Sequence, residues 1–192
     1  MIHFVFAVVL VACSVVFTGS AQAQTVASLG GEPTNFFERL FGGPISPTAR
    51  RVVFWRGNNR PGTIVISTSQ RRLYFVLGTG RAIQYGIGVG RPGFTWTGIK
   101  TVSMKREWPS WSPPAAMRRR RPDLPRYMEG GLGNPLGARA LYLGSSMYRI
   151  HGSNEPETIG YAVSSGCIRM TNADVVDLYN RTRVGTKVVV LR

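Results

Sequence analysis

Cysteine and histidine are almost missing from this chain of 192 residues, which has two of each. His3 and Cys13 sit in the first two dozen positions, so the remainder holds only His151 and Cys167. That scarcity rules out an internal disulfide once the N-terminal stretch is removed. It also leaves no set of Cys and His ligands from which a zinc site is normally built. Acidic residues are scarce too: nine stand against 24 lysines and arginines, giving a formal charge of +15. A surface so basic attracts nucleic acid, anionic lipid or acidic polymer.

The one long apolar run opens the chain, "MIHFVFAVVLVACSVVFTGSAQAQT". About 17 continuously apolar residues are at the short limit for a membrane span. Ala21-Gln22-Ala23 fits the small-residue pattern of a signal-peptidase site. Residues 1–23 therefore read as a cleaved export signal, although its start lacks Lys and Arg. Leu10-Val11-Ala12-Cys13 also resembles a lipoprotein signal, but apolar residues continue past Cys13 and simple cleavage is the better reading. Export to the periplasm or cell envelope makes nucleic acid the least expected partner, and a basic face solvated against an anionic envelope the expected one.

Residues 24–50 are rich in Gly, Pro, Ser and Thr and read as a linker or N-terminal extension. Their apolar patch, Phe36, Phe37, Leu40 and Phe41, is expected to pack on the domain that follows. From 51 to 192 the texture is that of one mostly β domain. "TIVIST", "RRLYFVL" and "RAIQYGIGVG" are rich in β-branched and aromatic residues, and Gly78-Thr79-Gly80 predicts a hairpin between the last two. Gly88, Gly90 and Gly93 match a dinucleotide fingerprint, yet Pro92 and the residues beyond cannot open the helix it needs, so a turn is expected. A long Pro- and Gly-rich segment, Lys105 to Ala140 with the run Arg118 to Arg121, is expected to be irregular and to form a lid. "LYLG" and "MYRIHG" resume short strands. Thr171 and Asp174 then fit a capping box opening one short helix, with Val175, Leu178 and Tyr179 on one face, and "KVVVL" closes as a strand.

His151 ends a predicted strand and Cys167 follows after a Ser164-Ser165-Gly166 turn. A thiol is mostly protonated at neutral pH, and histidine is its natural base. Gly166 lets backbone approach closely, so its N–H and that of Cys167 are placed to face a developing oxyanion. A catalytic pair of this kind is expected to make Cys167 alkylate faster than an ordinary thiol near neutral pH. A buried structural thiol beside a satisfied core histidine is the alternative, and residue types alone do not separate the two.

The stretch "IHGSNEPETIGYAVSSGCIRMTNADVVDLYNRTRVGTKVVVL" resembles the C-terminal half of the L,D-transpeptidase catalytic domain (YkuD-like family), with its His-Gly segment followed by Ser-x-Gly-Cys-Ile-Arg. With the upstream "SQRRLYFVLGTGRAIQYGIGVGRPGFTWTGIKTV", the resemblance spans residues 62–191. It implies a β-sandwich-like fold and a cofactor-free acyl transfer on peptidoglycan stem peptides. Cys167 is then the nucleophile and His151 the general base and acid. The Gly152 backbone carbonyl orients the imidazole, and the Gly166 and Cys167 amides form the oxyanion hole. Ser164, Ser165 and Arg169 fall at substrate-facing positions, Arg169 holding either the loop or a substrate carboxylate. Ser165 stands where many members carry a second histidine. Acceptors compatible with the resemblance are a second stem peptide, a lipoprotein lysine or a D-amino acid. Resolution by water, or a non-catalytic basic wall-binding role, are its rivals.

Overall fold

The computed structural model describes residues 46–192. The expected leader, Cys13 and the Phe36–Phe41 patch lie outside them. The described chain is mostly β, as its texture predicts. Nine of the eleven described strands form one continuous ladder, and the other two pair separately. The first part of the ladder comprises β1 (Arg51–Phe54), β2 (Ile64–Ser67), β3 (Arg72–Gly78) and β4 (Arg81–Gly86). The expected hairpin is present, β3 and β4 being antiparallel around Thr79, with positive φ at Gly78, Thr79 and Gly80.

The long strand β6 (Gly98–Glu107) belongs to both halves of the ladder, pairing with β11 (Lys187–Leu191) along its first part and with β7 (Arg139–Leu143) along its second. Its register shifts between Val102 and Met104, where a bulge bends the sheet. The sandwich is thus one bent sheet with a shared interior. Ile64, Ile66, Leu73, Phe75, Ile83 and Tyr85 from one half pack in the same cluster as Val102, Leu141, Leu143, Ile150 and Ile168 from the other. Their period-two spacing explains why each strand turns one apolar row inward.

Two α-helices and one 3-10 turn (Pro156–Thr158) complete the described fold. The helix α2 (Asn172–Arg181) is capped as the sequence predicts: Thr171 Oγ1 accepts from the Asp174 N–H at 3.1 Å. Val175 and Leu178 are fully buried, and Tyr179 packs at the edge of the same cluster. At its other end Lys105 Nζ donates to the Tyr179 and Thr182 carbonyls at 2.7 and 2.6 Å, so a strand cation closes the helix C-terminus. The Tyr85 hydroxyl donates to Asp177 Oδ2 at 2.6 Å and ties α2 to β4.

The other helix, α1 (Ala115–Arg120), corrects the expectation of a wholly irregular Lys105–Ala140 segment. Strand β6 runs to Glu107, a bridge joins Trp111 to Met128, and Ala-Ala-Met-Arg-Arg-Arg coils into a turn and a half after Pro114. These are good helix formers directly behind a proline that suits a helix start. The three arginines in its last turn complement its C-terminal dipole. Within the glycine-rich match at residues 88–93, the two-residue strand β5 (Val89–Gly90) is followed by the expected turn, at Pro92-Gly93.

Candidate active site

Strand β8 (Arg149–His151) lies between β7 and β10 (Ile168–Arg169), so the ladder itself carries His151 and the residues just after Cys167 side by side. Arg169 is the parallel partner of His151, and the Met170 N–H donates to the His151 carbonyl at 2.9 Å. The His151 ring is buried, and its Nδ1 lies 2.6 Å from the Gly152 carbonyl oxygen. A carbonyl can only accept, so Nδ1 carries the proton and Nε2 presents a free lone pair. The Gly152 carbonyl thus holds the imidazole at Nδ1, the position at which a carboxylate bonds the histidine of a triad.

That carbonyl is held by a residue the sequence reading passed over. Asn172 Oδ1, on the first residue of α2, accepts from the N–H groups of Ala138 at 2.9 Å and Ser153 at 3.3 Å. It sits against Gly152 so closely that no Cβ fits there. The well-capped helix therefore anchors the turn that aims the histidine.

The turn before the thiol is closed from within. Ser164, on β9 (Ala162–Ser164), donates through Oγ to the Cys167 carbonyl at 2.6 Å and accepts from the Gly166 N–H at 3.1 Å. Gly166 has φ of +110°, and a Cβ there would meet the Tyr148 ring at 2.6 Å. Trp96 Nε1 donates to its carbonyl at 2.8 Å, and the Trp96 and Tyr148 rings stack at 4.5 Å. The Ser164 hydroxyl, expected to face substrate, bonds within its own loop, and the Gly166 N–H is bonded to it. The Cys167 N–H has no acceptor among the described residues.

Arg169 is engaged within the loop and also lines the cleft. Its guanidinium donates to Glu155 Oε2 at 2.9 Å, and its backbone exchanges two hydrogen bonds with Gly88. Ser165 lies on the wall of the cleft without a recorded bond.

His151, Cys167, Ser164, Ser165 and Arg169 all line one cleft of about 460 Å³. Its opposite contributions come from Phe94, Trp111 and the α1 residues Ala116, Met117 and Arg120, so the expected lid segment does wall the site. Arg149 also lines it, and the sequence reading missed that. Residues 149 and 151 are two apart on one strand and so share a face, which was the signal available.

The resting electrostatics differ from those expected. Burial pushes the His151 pKa down to about 4; the Gly152 carbonyl opposes this, while Arg169 and Arg149 add to it. Burial also raises the Cys167 thiol, against the pull of Arg149 and Arg169. The thiol donates to the Met147 carbonyl at 3.8 Å. Both groups are therefore neutral at pH 7. Desolvation around the half-buried thiol thus disfavours its thiolate in the resting site.

This has a measurable consequence for stability. A folded pKa of about 4 against an ordinary 6.5 means that the unfolded chain binds the proton first as pH falls. The contribution is complete above pH 6.5 and lost on descending to about 4, reaching roughly 3 kcal/mol. Chemical denaturation should show wild type losing about 2 kcal/mol more than His151→Gln between pH 7 and 4.5. Parallel losses in the two proteins would remove the buried neutral imidazole from the account.

Comparison with known proteins agrees with this arrangement. Residues 61–190 match the L,D-transpeptidase catalytic domain (YkuD) family. "Probable L,D-transpeptidase ErfK/SrfK" of Escherichia coli K12 is 36% identical over 137 residues, covering 67% of this chain and 43% of that protein. "Probable L,D-transpeptidase YbiS" of the same organism is 39% identical over 134 residues, covering 65% and 43%. The matched region thus spans less than half the length of these curated relatives. A Mycobacterium smegmatis L,D-transpeptidase structure shares the fold at 16% identity, with a TM-score of 0.55, covering 68% of this chain and 58% of that one. A Brucella melitensis crystal structure named as a probable carnitine operon oxidoreductase is 46% identical, with a TM-score of 0.51, covering 74% and 93%. The oxidoreductase name finds no dinucleotide fingerprint to support it here, since the strand Val89–Gly90 is followed by a turn at Pro92-Gly93 that opens no helix. With a buried histidine locked by its neighbour's carbonyl, a thiol in the same cleft and a family match over residues 61–190, the chain belongs to the L,D-transpeptidase (YkuD) family.

Proposed function

We propose that the protein is an exported L,D-transpeptidase acting on peptidoglycan stem peptides in the cell envelope. The observation that carries this is the His151 Nδ1 to Gly152 carbonyl bond, which leaves Nε2 free as a base in the cleft that Cys167 lines. Because thiol and imidazole are both neutral at rest, Cys167 transfers its proton to Nε2 as it attacks, with no standing ion pair required. The attacked carbonyl joins diaminopimelate to the terminal D-Ala of a tetrapeptide. Negative charge develops on its oxygen next to the Cys167 N–H. The Gly166 N–H joins it once it leaves Ser164 Oγ. The tetrahedral intermediate collapses, the C–N bond breaks, and D-Ala departs with the proton from the imidazolium. A second amine then attacks the thioester, giving up its proton to His151 and regenerating the thiol.

Incubating the protein with a defined tetrapeptide muropeptide should release D-Ala and yield a dimer heavier by one acyl donor, read by mass spectrometry. Release of D-Ala with a free tripeptide and no dimer would replace the transferase with a hydrolase on the same site. No release at all from tetrapeptide would overturn both.

A further inference from the structure

The cleft is lined by three arginines, Arg120, Arg149 and Arg169, and by no carboxylate. Arg169 is neutralised by Glu155. Arg149 has no carboxylate partner among the described residues. Its guanidinium lies 4.9 Å above the Tyr142 ring and donates one bond, at 3.2 Å, to the Met147 carbonyl. Its Nε is buried without an acceptor. Buried donors are ordinarily satisfied, and a guanidinium fork is shaped to take a carboxylate with two parallel bonds. The Met147 carbonyl that Arg149 touches is also the one that receives the thiol proton, which sets this guanidinium beside the attacking sulfur.

We propose that Arg149 receives the free α-carboxylate of the residue expelled from the donor, and so confines the enzyme to donors ending one residue past the scissile bond. The inference rests on the transpeptidase reading above. In a tetrapeptide donor the carboxylate nearest the scissile bond is that of the leaving residue, one carbon from the nitrogen. The free carboxylate on the diaminopimelate side chain lies several carbons further off. An arginine beside the sulfur meets the first and not the second. Held there, the leaving residue keeps its nitrogen near the imidazole that must protonate it. A donor extended by a further residue, or blocked as an amide, offers the guanidinium no anion. Arg120, on the lid helix with Phe94 5.8 Å from its guanidinium, is the comparison residue, since it shares the charge and the cleft but stands on a different element.

Steady-state kinetics on a tetrapeptide donor and its C-terminal amide separate the possibilities. Wild type should favour the acid at least tenfold in kcat/KM, mostly through KM. Arg149→Met should slow the acid to about the rate of the amide while leaving the amide within a few-fold, and Arg149→Lys should keep part of the preference. Arg120→Met should keep all of it. Continued turnover of the amide shows that Arg149→Met is folded. If Arg149→Met slows both donors equally, the arginine acts only on the thiol and the proposal fails. It fails as well if wild type treats the donors alike, yet release of D-Ala or its amide then leaves the transpeptidase reading intact. Wild type inert to both donors would sink that reading and this one together.

Discussion

Replacing Cys167 with alanine is expected to lower D-Ala release by roughly 10⁴-fold or more, since the hydroxyls of Ser164 and Ser165 that share the cleft are far less acidic than a thiol. His151→Ala should cost somewhat less, about 10²–10⁴-fold at neutral pH, and the pH dependence of what remains is the more informative result. The half-buried thiol is raised above its ordinary pKa by desolvation, so without an imidazole it attacks only through its small ionised fraction. That fraction grows about tenfold per pH unit below the thiol pKa. His151→Ala should therefore recover with rising pH, while wild type stays flat between the imidazole and thiol pKa values. The same logic governs iodoacetamide: free Cys167 should react slowly at pH 7 and increasingly toward alkaline pH. Intact mass after donor addition should show an acyl adduct in wild type and none in Cys167→Ala. Undiminished turnover by Cys167→Ala would end the acyl-enzyme mechanism outright.

Much of the frame was legible because it depends on local pattern. Alternating β-branched residues marked β2, β3, β4 and β11, Gly78-Thr79-Gly80 marked the hairpin, and Thr171 marked the start of α2. The scarcity of His and Cys drew attention to His151 and Cys167, and the cleft holds both. What escaped depends on which groups meet across the fold. Helix α1 was hidden by prolines that read as breakers although one of them starts it. The inward use of the Ser164 hydroxyl follows from the closure of its turn, which residue type does not reveal. The direction of the thiol and imidazole shifts follows from burial, which no spacing encodes.

Asn172 escaped for the same reason, and the largest structural effect is expected beside it. Gly152→Ala should destabilise the domain by roughly 2–5 kcal/mol, through overpacking and the loss of two buried hydrogen bonds. The added methyl would collide with Asn172 Oδ1 and come within 3.0 Å of the Ala138 nitrogen and 3.2 Å of the Gly137 Cα. Asn172 cannot retreat easily, because it opens a helix fixed by the Thr171 cap and by buried Val175 and Leu178. The backbone of Gly152 must move instead, and its carbonyl is what aims His151. A displacement near 1 Å there is expected to slow turnover about 10²-fold beyond any loss of folded protein. Asn172→Ala alone should cost less, leaving the Ala138 and Ser153 N–H groups without their acceptor but the imidazole in place. In the Asn172→Ala background the methyl at 152 has room, so the two changes together should cost clearly less than their sum. Denaturant midpoints and kcat for the four proteins of this cycle test the clamp. Additive effects, or a Gly152→Ala protein as stable and active as wild type, would show that Asn172 does not hold the histidine turn.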